Sequence, residues 1–330
     1  MNFLANSLDT FRRFPYSPNV AIRKPFDVLQ TLVTSPRSSL FRLLLALAVC
    51  AAAGCRSLSR SRDNPDLDAS RRLASQGVDA IQHNRWDEGE AFLRQSLELH
   101  PHDDRTHRQY AETLWRRGDT NRALSHMEKA LRLSGGDPTL RAQLGERYLS
   151  LNNLAAAELQ ARQSLQDNPR LAEGWALLGD VQKQRGQWAD ALASYHQATH
   201  HRGRYPKVQL AIAEIHQLQG RHQRSLATLR ALAEGYPPHQ TPPHVNYLQG
   251  LALKEMGRYE SATEQLLLAR NRGPAHSDLL FHLADAQWRG GDSQEAHRNL
   301  AAALAMDPQH VASRRLQTQI GQPRRFAARP

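Results

Sequence analysis

The chain has 330 residues, of which 40% are hydrophobic, 6% aromatic and 23% charged, with 43 Lys and Arg against 32 Asp and Glu. This length allows two domains or one elongated array, and the low aromatic content argues against a β-sandwich or a β-barrel. The two cysteines are Cys50 and Cys55. Disulfides, thiolate zinc sites and cysteine nucleophiles are therefore excluded from the chain beyond Cys55.

An apolar run at residues 43–54 follows an N-terminal segment in which basic residues outnumber acidic ones. The run is too short to span a bilayer, which takes about 20 residues, but it suits the apolar part of a signal peptide. We therefore interpret residues 1–54 as a signal peptide and exclude them from the fold.

The end of this run, Ala52-Ala53-Gly54-Cys55, resembles the lipobox of bacterial lipoproteins. In that family the cysteine is lipidated and begins the mature chain, so the resemblance implies a lipid anchor at Cys55. Because Arg56 rather than an aspartate follows the cysteine, the family rule implies the outer membrane, with the protein facing the periplasm. The alternative is ordinary signal peptidase cleavage at residues 51–53, which gives a soluble periplasmic or secreted protein.

Polar segments flank the remainder of the chain. Residues 55–69 are mixed in charge and lack helical periodicity, so they are predicted to form a flexible tether. Near the other end, apolar residues within 311–321 suggest a terminal capping helix, and residues 322–330 read as a disordered basic tail.

Between these segments, residues 70–310 repeat with a period of 34 residues. Seven frames fit, with one three-residue insertion in the proline-rich stretch at 237–243. The eighth position of each frame is small: Gly77, Ala111, Gly145, Gly179, Ala213, Gly250 and Ala284. The twentieth position is small as well: Gly89, Ala123, Ala157, Ala191, Ser225, Ala262 and Ala296. Small residues at both positions predict two antiparallel helices whose backbones cross closely.

The fifteenth position of every frame predicts a tight turn between the two helices, because it is always Gly or Asn. These residues most easily take the left-handed conformation that ends a helix. They are Asn84, Gly118, Asn152, Gly186, Gly220, Gly257 and Gly291. Each frame is thus predicted to be a helical hairpin, and neighbouring hairpins must stack to bury their apolar faces.

This pattern resembles the tetratricopeptide repeat family, with Trp175, Gly179, Ala191 and Tyr195 at signature positions of the fourth frame. The resemblance implies an all-α fold, a right-handed α-solenoid of about seven hairpins plus a C-terminal capping helix. It also implies a concave groove lined by the first helices, with positions 2, 5, 9 and 12 facing inward.

Position nine carries four consecutive carboxylates, Glu112, Glu146, Asp180 and Glu214. The resemblance makes them an acidic stripe along the groove, which would attract a basic or amide-rich extended segment. The alternative is a solvated face balanced by nearby Arg105, Arg108, Lys183 and Lys207.

Aromatic residues also occupy inward positions. Trp115 and Trp288 stand at position twelve, and Tyr247 and Phe281 stand at position five. We expect these four side chains to contact a partner, because exposed aromatic side chains anchor binding partners well. The alternative is that some of them pack against a neighbouring hairpin. The lysine and asparagine clamp of chaperone-tail-binding members is absent, since position nine is mostly acidic.

A search for catalytic motifs returns none, and no cofactor is predicted. His196 and His200 share one face of a second helix, but two ligands without a third make a weak metal site, and no metal is predicted. Basic residues are interleaved with acids rather than clustered, which argues against nucleic-acid binding.

The sequence therefore predicts a non-enzymatic, membrane-anchored scaffold that binds a partner peptide or helix in its groove, for assembly of an envelope or secretion complex. Alternatives are a soluble secreted adaptor, an accessory subunit of a cell-wall enzyme and a purely structural spacer.

Overall fold

The computed structural model describes residues 65–237 and 239–321. The predicted signal peptide, the lipidation site at Cys55 and the predicted tail at 322–330 lie outside the described residues. The same holds for the tether up to residue 64.

Within the described residues the fold consists of fifteen helices and no strands. Fourteen of them form seven hairpins. The first helices of the hairpins are α1 Pro65–Gln82, α3 Asp104–Arg116, α5 Pro138–Ser150, α7 Ala172–Gln184, α9 Pro206–Leu218, α11 Pro243–Glu255 and α13 Ser277–Gly290. The second helices are α2 Trp86–Leu99, α4 Thr120–Leu133, α6 Leu154–Asp167, α8 Trp188–Arg202, α10 His222–Glu234, α12 Tyr259–Arg272 and α14 Ser293–Met306. The remaining helix, α15, spans Val311–Gly321. The prediction of an all-α solenoid of hairpins is confirmed.

Helix α1 begins at Pro65, so the predicted tether, which extends to residue 69, overlaps its first turn. The local sequence explains this earlier start. Proline fits the first turn of a helix because its missing N–H has no partner there. Asp66 and Asp68 also lie in the first turn, where negative charge complements the helix dipole.

The turn between the two helices of each hairpin has the predicted conformation. All seven residues at the fifteenth position have positive φ, from 59° at Asn84 and Asn152 to 95° at Gly291. At the two asparagines the left-handed conformation occurs without glycine, as asparagine tolerates it better than most residues.

The small residues at positions eight and twenty are buried in every hairpin. Gly179 shows why a small residue is needed. A Cβ atom placed there would lie 2.6 Å from ring carbons Cδ1 and Cε1 of the fully buried Tyr195 on the facing helix. The two helix axes could not keep their distance with a larger side chain at this crossing.

The stacking of the hairpins identifies the inner wall. The second helix of each hairpin packs against the first helix of the next. The backbones of neighbouring first helices also contact each other, except for those of α3 and α5, which are joined through side chains. Within the described residues, neighbouring second helices make no such contacts. The first helices therefore lie closer together and form the concave side of the stack.

The hydrophobic core is divided among the interfaces between hairpins. One buried cluster, for example, joins Tyr195 and Ala198 of α8 to Val208, Ile212 and Ile215 of α9. Similar clusters recur along the stack and end at Leu300 and Leu316, where α14 meets α15. Among the described helices, none has the length and apolar character needed to cross a bilayer.

Candidate functional site

A cavity of about 560 Å³ opens in the inner wall near its N-terminal end. It lies where the backbones of α3 and α5 do not touch. Its lining comes from α1, α3 and α5, with Met127 added by α4. The lining residues are Val78, Ile81, Gln82, Arg108, Gln109, Glu112, Thr113, Arg116, Met127, Gln143, Glu146 and Arg147. Glu112 and Glu146 of the predicted acidic stripe therefore share one cavity.

Glu112 lies between two arginines. Its Oε1 accepts a hydrogen bond from Nε of Arg116, one turn along α3, at 2.8 Å. Its Oε2 accepts another from Nη2 of Arg147 on α5 at 2.5 Å. Two cations therefore share this carboxylate, and one of them joins α3 to α5 across the gap.

Lys207 of α9 links the next two carboxylates. Its Nζ lies 3.1 Å from Oε1 of Glu146 and 3.0 Å from Oδ2 of Asp180. Burial lowers the pKa of Lys207, but the two carboxylates outweigh burial and hold the pKa above its usual value. One ammonium group thereby connects the first helices of three hairpins.

Glu214 is paired from both sides. Lys183 of α7 donates to its Oε2, and Nε2 of His244 on α11 lies 3.5 Å from its Oε1. The contacts with His244 and Lys183 lower the pKa of this carboxyl against the opposing effect of burial.

A fifth inward carboxylate, Asp285 of α13, is only 3% exposed. It accepts hydrogen bonds from Nζ of Lys254 at 2.8 Å and from Nε of Arg289 at 2.7 Å. Burial raises the pKa of Asp285, and these two cations more than compensate, so the pKa lies below its usual value.

These five carboxylates and their cations form a ladder of ion pairs along the inner wall. Each carboxylate pairs with at least one basic side chain from its own first helix or from a first helix one or two hairpins away. The carboxylates of the predicted stripe are therefore neutralised. Lys183 and Lys207 pair with them, in agreement with the alternative interpretation of a face balanced by nearby cations. Arg105 and Arg108, also part of that interpretation, form no ion pair within the described residues.

Among the predicted aromatic anchors, Trp115 is half-buried beside the cavity. The guanidinium carbon of Arg147 lies 5.0 Å from the centre of its ring. The ring also packs against a buried cluster that contains Leu93, Tyr110 and Leu114. Trp115 thus holds Arg147, which in turn pairs with Glu112.

Tyr247 of α11 is more enclosed, because it packs against the core clusters on both sides of its hairpin. Ring centres of His276 and His282 lie 5.5 Å and 6.0 Å from that of Tyr247. Burial, assisted by the charge of Asp278, raises the pKa of Tyr247 to about 12.

Phe281 and Trp288 of α13 both pack against the cluster that joins hairpin 7 to α15. Leu300 and Leu316 are the buried members of that cluster. This arrangement matches the alternative interpretation, in which such aromatics pack against a neighbouring element. The contact with a partner that was predicted for all four aromatics remains a prediction.

Sequence reasoning named Lys183 and Lys207 as balancing charges, but it missed His244 and Lys254 and assigned no specific pairs, although the repeat carried their signal. Lys207 and His244 occupy position two of their frames, and Lys183 and Lys254 occupy position twelve. All four are inward positions, on first helices one or two hairpins away from the carboxylates with which they pair. Comparing them across frames would have indicated the pairing.

Two family models, both described as tetratricopeptide repeat, match the chain. One matches residues 75–138, 177–239 and 247–311, which is more than half of the chain, and the other matches residues 114–181. The chain belongs to the tetratricopeptide repeat family.

Solved structures share this repeat fold. A tetratricopeptide repeat protein from Parabacteroides merdae is 14% identical with a TM-score of 0.56, and the match covers 77% of this chain and all of that one. YrrB, described as a tetratricopeptide repeat protein with an unusual peptide-binding site, is 15% identical with a TM-score of 0.50, covering 58% of this chain and 97% of its own. A search of curated protein sequences finds no match.

Tetratricopeptide repeat proteins are generally non-enzymatic scaffolds that bind protein or peptide partners. His196 and His200 both lie on α8. Across residues 65–237 and 239–321, no three side chains of the metal-binding types come together as a metal site.

Proposed function

We propose that this tetratricopeptide repeat protein is a non-enzymatic scaffold that binds a segment of a partner protein in the groove of its first helices. The observation that carries this proposal is the cavity between α1, α3 and α5. Its volume of about 560 Å³ lies within the range of ordinary ligand pockets. Apolar, amide and charged side chains line it together, a combination that suits a peptide better than a wholly apolar molecule.

The repeat architecture supports this proposal independently. Each first helix packs against its own second helix, and those of hairpins 2–7 also pack against the preceding hairpin, so the wall is organised before a partner arrives. Pre-organised surfaces bind more tightly because less conformational entropy is lost on association. The peptide-binding site described for YrrB is a precedent within the same fold.

A crosslinking experiment tests the groove. Gln109 lines the cavity, and Leu159 is 53% exposed on the second helix α6. A photo-reactive benzoylphenylalanine replacing Gln109 should crosslink one defined partner in the native cell. The same residue replacing Leu159 is the matched control and should not. Crosslinks to that partner from both positions, or from position 159 alone, would contradict binding in the groove.

We further propose that the scaffold is exported and anchored by a lipid on Cys55, facing the periplasm at the outer membrane, where it serves assembly of an envelope or secretion complex. The support is the apolar run at 43–54 and the lipobox-like sequence that ends in Cys55. An anchored scaffold would hold its partner close to the membrane.

Intact mass of the exported protein tests the anchor. We expect a mature chain that begins at Cys55 and carries acyl groups, and Cys55→Ser should abolish both this processing and membrane attachment. A mature chain that begins at Ala or Gly without acyl groups would instead establish the soluble adaptor.

A further inference from the structure

The charge that remains free in the N-terminal part of the groove is positive. Arg108 lines the cavity and is exposed, and it forms no ion pair within the described residues. Arg105, one turn earlier on α3, is also exposed and has no ion pair there. The glutamates of the cavity, in contrast, are occupied. Glu112 pairs with Arg116 and Arg147, and Glu146 pairs with Lys207.

This balance opposes the attraction of a basic partner that the sequence predicted. A lysine or arginine of the partner would have to displace a cation already held at 2.5 Å to 3.1 Å. A carboxylate, however, could pair with Arg108 without breaking any existing contact. Charge-assisted hydrogen bonds from arginine to carboxylate are among the stronger polar contacts in proteins.

Three amide side chains complete the lining. Gln82 of α1, Gln109 of α3 and Gln143 of α5 all face the cavity, and their amides form no hydrogen bond within the described residues. Each amide can donate and accept at once. An extended peptide presents unpaired N–H and C=O groups to such side chains, whereas a helix satisfies most of its own.

The apolar part of the cavity lining is Val78 and Ile81 from α1 and Met127 from α4. Three first helices spaced about 10 Å apart span about 20 Å, a distance that about six extended residues cover. In an extended segment alternate side chains point in opposite directions. Apolar residues of the segment could therefore contact Val78, Ile81 and Met127 while acidic ones pair with Arg108.

We propose that this part of the groove recognises an extended peptide segment in which carboxylate side chains alternate with apolar ones, with Arg108 pairing to a carboxylate and the three glutamines binding the peptide backbone. This inference rests on the proposed function, because it names the chemistry of the partner segment that the groove binds. No terminal carboxylate is required.

Fluorescence anisotropy with three dye-labelled peptides tests the inference. The peptides have about eight residues, both ends blocked, and leucine alternating with aspartate, serine or lysine. The aspartate peptide should bind the full-length protein most tightly. Its affinity should decrease as the salt concentration is raised, because salt screens exposed charges. Arg108→Ala should weaken its binding by about tenfold, as expected for an arginine at the centre of an interface.

Arg132→Ala is the matched control. Arg132 is exposed on the second helix α4 of the same hairpin and forms no ion pair within the described residues, so its loss changes the net charge equally and should leave affinity unchanged. Arg108→Glu should reverse the preference toward the lysine peptide, and unchanged thermal melting should show that each variant is folded. Gln109→Leu combined with Gln143→Leu should weaken binding of both the aspartate and the serine peptide.

Three outcomes would overturn the inference, two of them comparisons between peptides or variants. One is equal or tighter binding of the lysine peptide to the unaltered protein; the other is an equal response to Arg108→Ala and Arg132→Ala. Failure of all three peptides to bind would also overturn it. The crosslink from Gln109 would still decide whether the groove binds a partner, so the two proposals can fail separately.

Discussion

The two ends of the groove use the same inward positions in opposite ways. Near the N-terminal end, Glu112 keeps a side-chain exposure of 38% and lies beside an open cavity. Near the C-terminal end, the side chains of Asp285 and Lys254 are 5% and 9% exposed, and Phe281 and Trp288 pack against the cluster that contains Leu316 of α15. The repeat pattern is common to both ends, so the spacing of neighbouring helices decides whether an inward residue packs or remains accessible. We therefore expect partner contacts in hairpins 1–3.

We expect the largest loss of stability when the buried ion pair between Asp285 and Lys254, near the C-terminal end of the groove, is broken. Asp285→Ala should lower the free energy of unfolding by about 3 kcal/mol, because it removes the buried partner of the Lys254 ammonium and leaves only the exposed carboxylate of Glu255 beside it, at 3.3 Å. Denaturant unfolding measures this. Adding Lys254→Met to the Asp285→Ala variant removes the buried ammonium and should recover part of the lost free energy of unfolding. A cost below that of the equivalent change at Glu112 would contradict the contrast between the two ends.

Each end also contains a histidine with a low pKa, so mild acid should weaken both. Burial, followed by the charges of His107 and Arg122, lowers the pKa of His126 to about 4. Burial and the charge of Lys254 lower the pKa of His282 to about 4 as well. As the pH falls, each histidine takes up a proton near pH 6.5 in the unfolded chain but only near pH 4 in the folded one. The free energy of unfolding is therefore highest above pH 6.5 and decreases as the pH falls toward 4.

The loss should be on the order of 2 kcal/mol for each histidine. Thermal melting between pH 7 and pH 4 checks it, with His126→Gln and His282→Gln each flattening the pH dependence. His83→Gln, at a side chain that is 65% exposed, is the control. A pH dependence that survives in the double variant would assign the effect to other groups.

The smallest effect should come from the open end of the ladder. Glu112→Ala should cost about 1 kcal/mol or less, since its ion pairs with Arg116 and Arg147 are partly solvated. The difference between this variant and the unaltered protein should shrink further in high salt. A cost as large as that of Asp285→Ala would mean that the groove is equally closed along its whole length.

The sequence predicted those features that depend on one hairpin alone. The left-handed turn at Asn84 and the close crossing at Gly179 follow from backbone sterics, which the local sequence determines. Predicting the shape of the groove would have required the distances between neighbouring hairpins. The 34-residue period treats all neighbours as equal, so it could not indicate that α3 and α5 stand apart and leave a cavity. Trp288 has the same frame position as Trp115, but it packs against a cluster that includes Leu316 of α15, a helix that does not repeat the hairpin pattern.

The lack of backbone contact between α3 and α5 also affects how the stack can bend. In a solenoid, the angle at one interface sets the direction of everything beyond it, so a small rotation there would swing hairpins 3–7 as one arm. Arg147 and Glu112 cross this joint, and a peptide lying across it would fix the angle at which the arm is held.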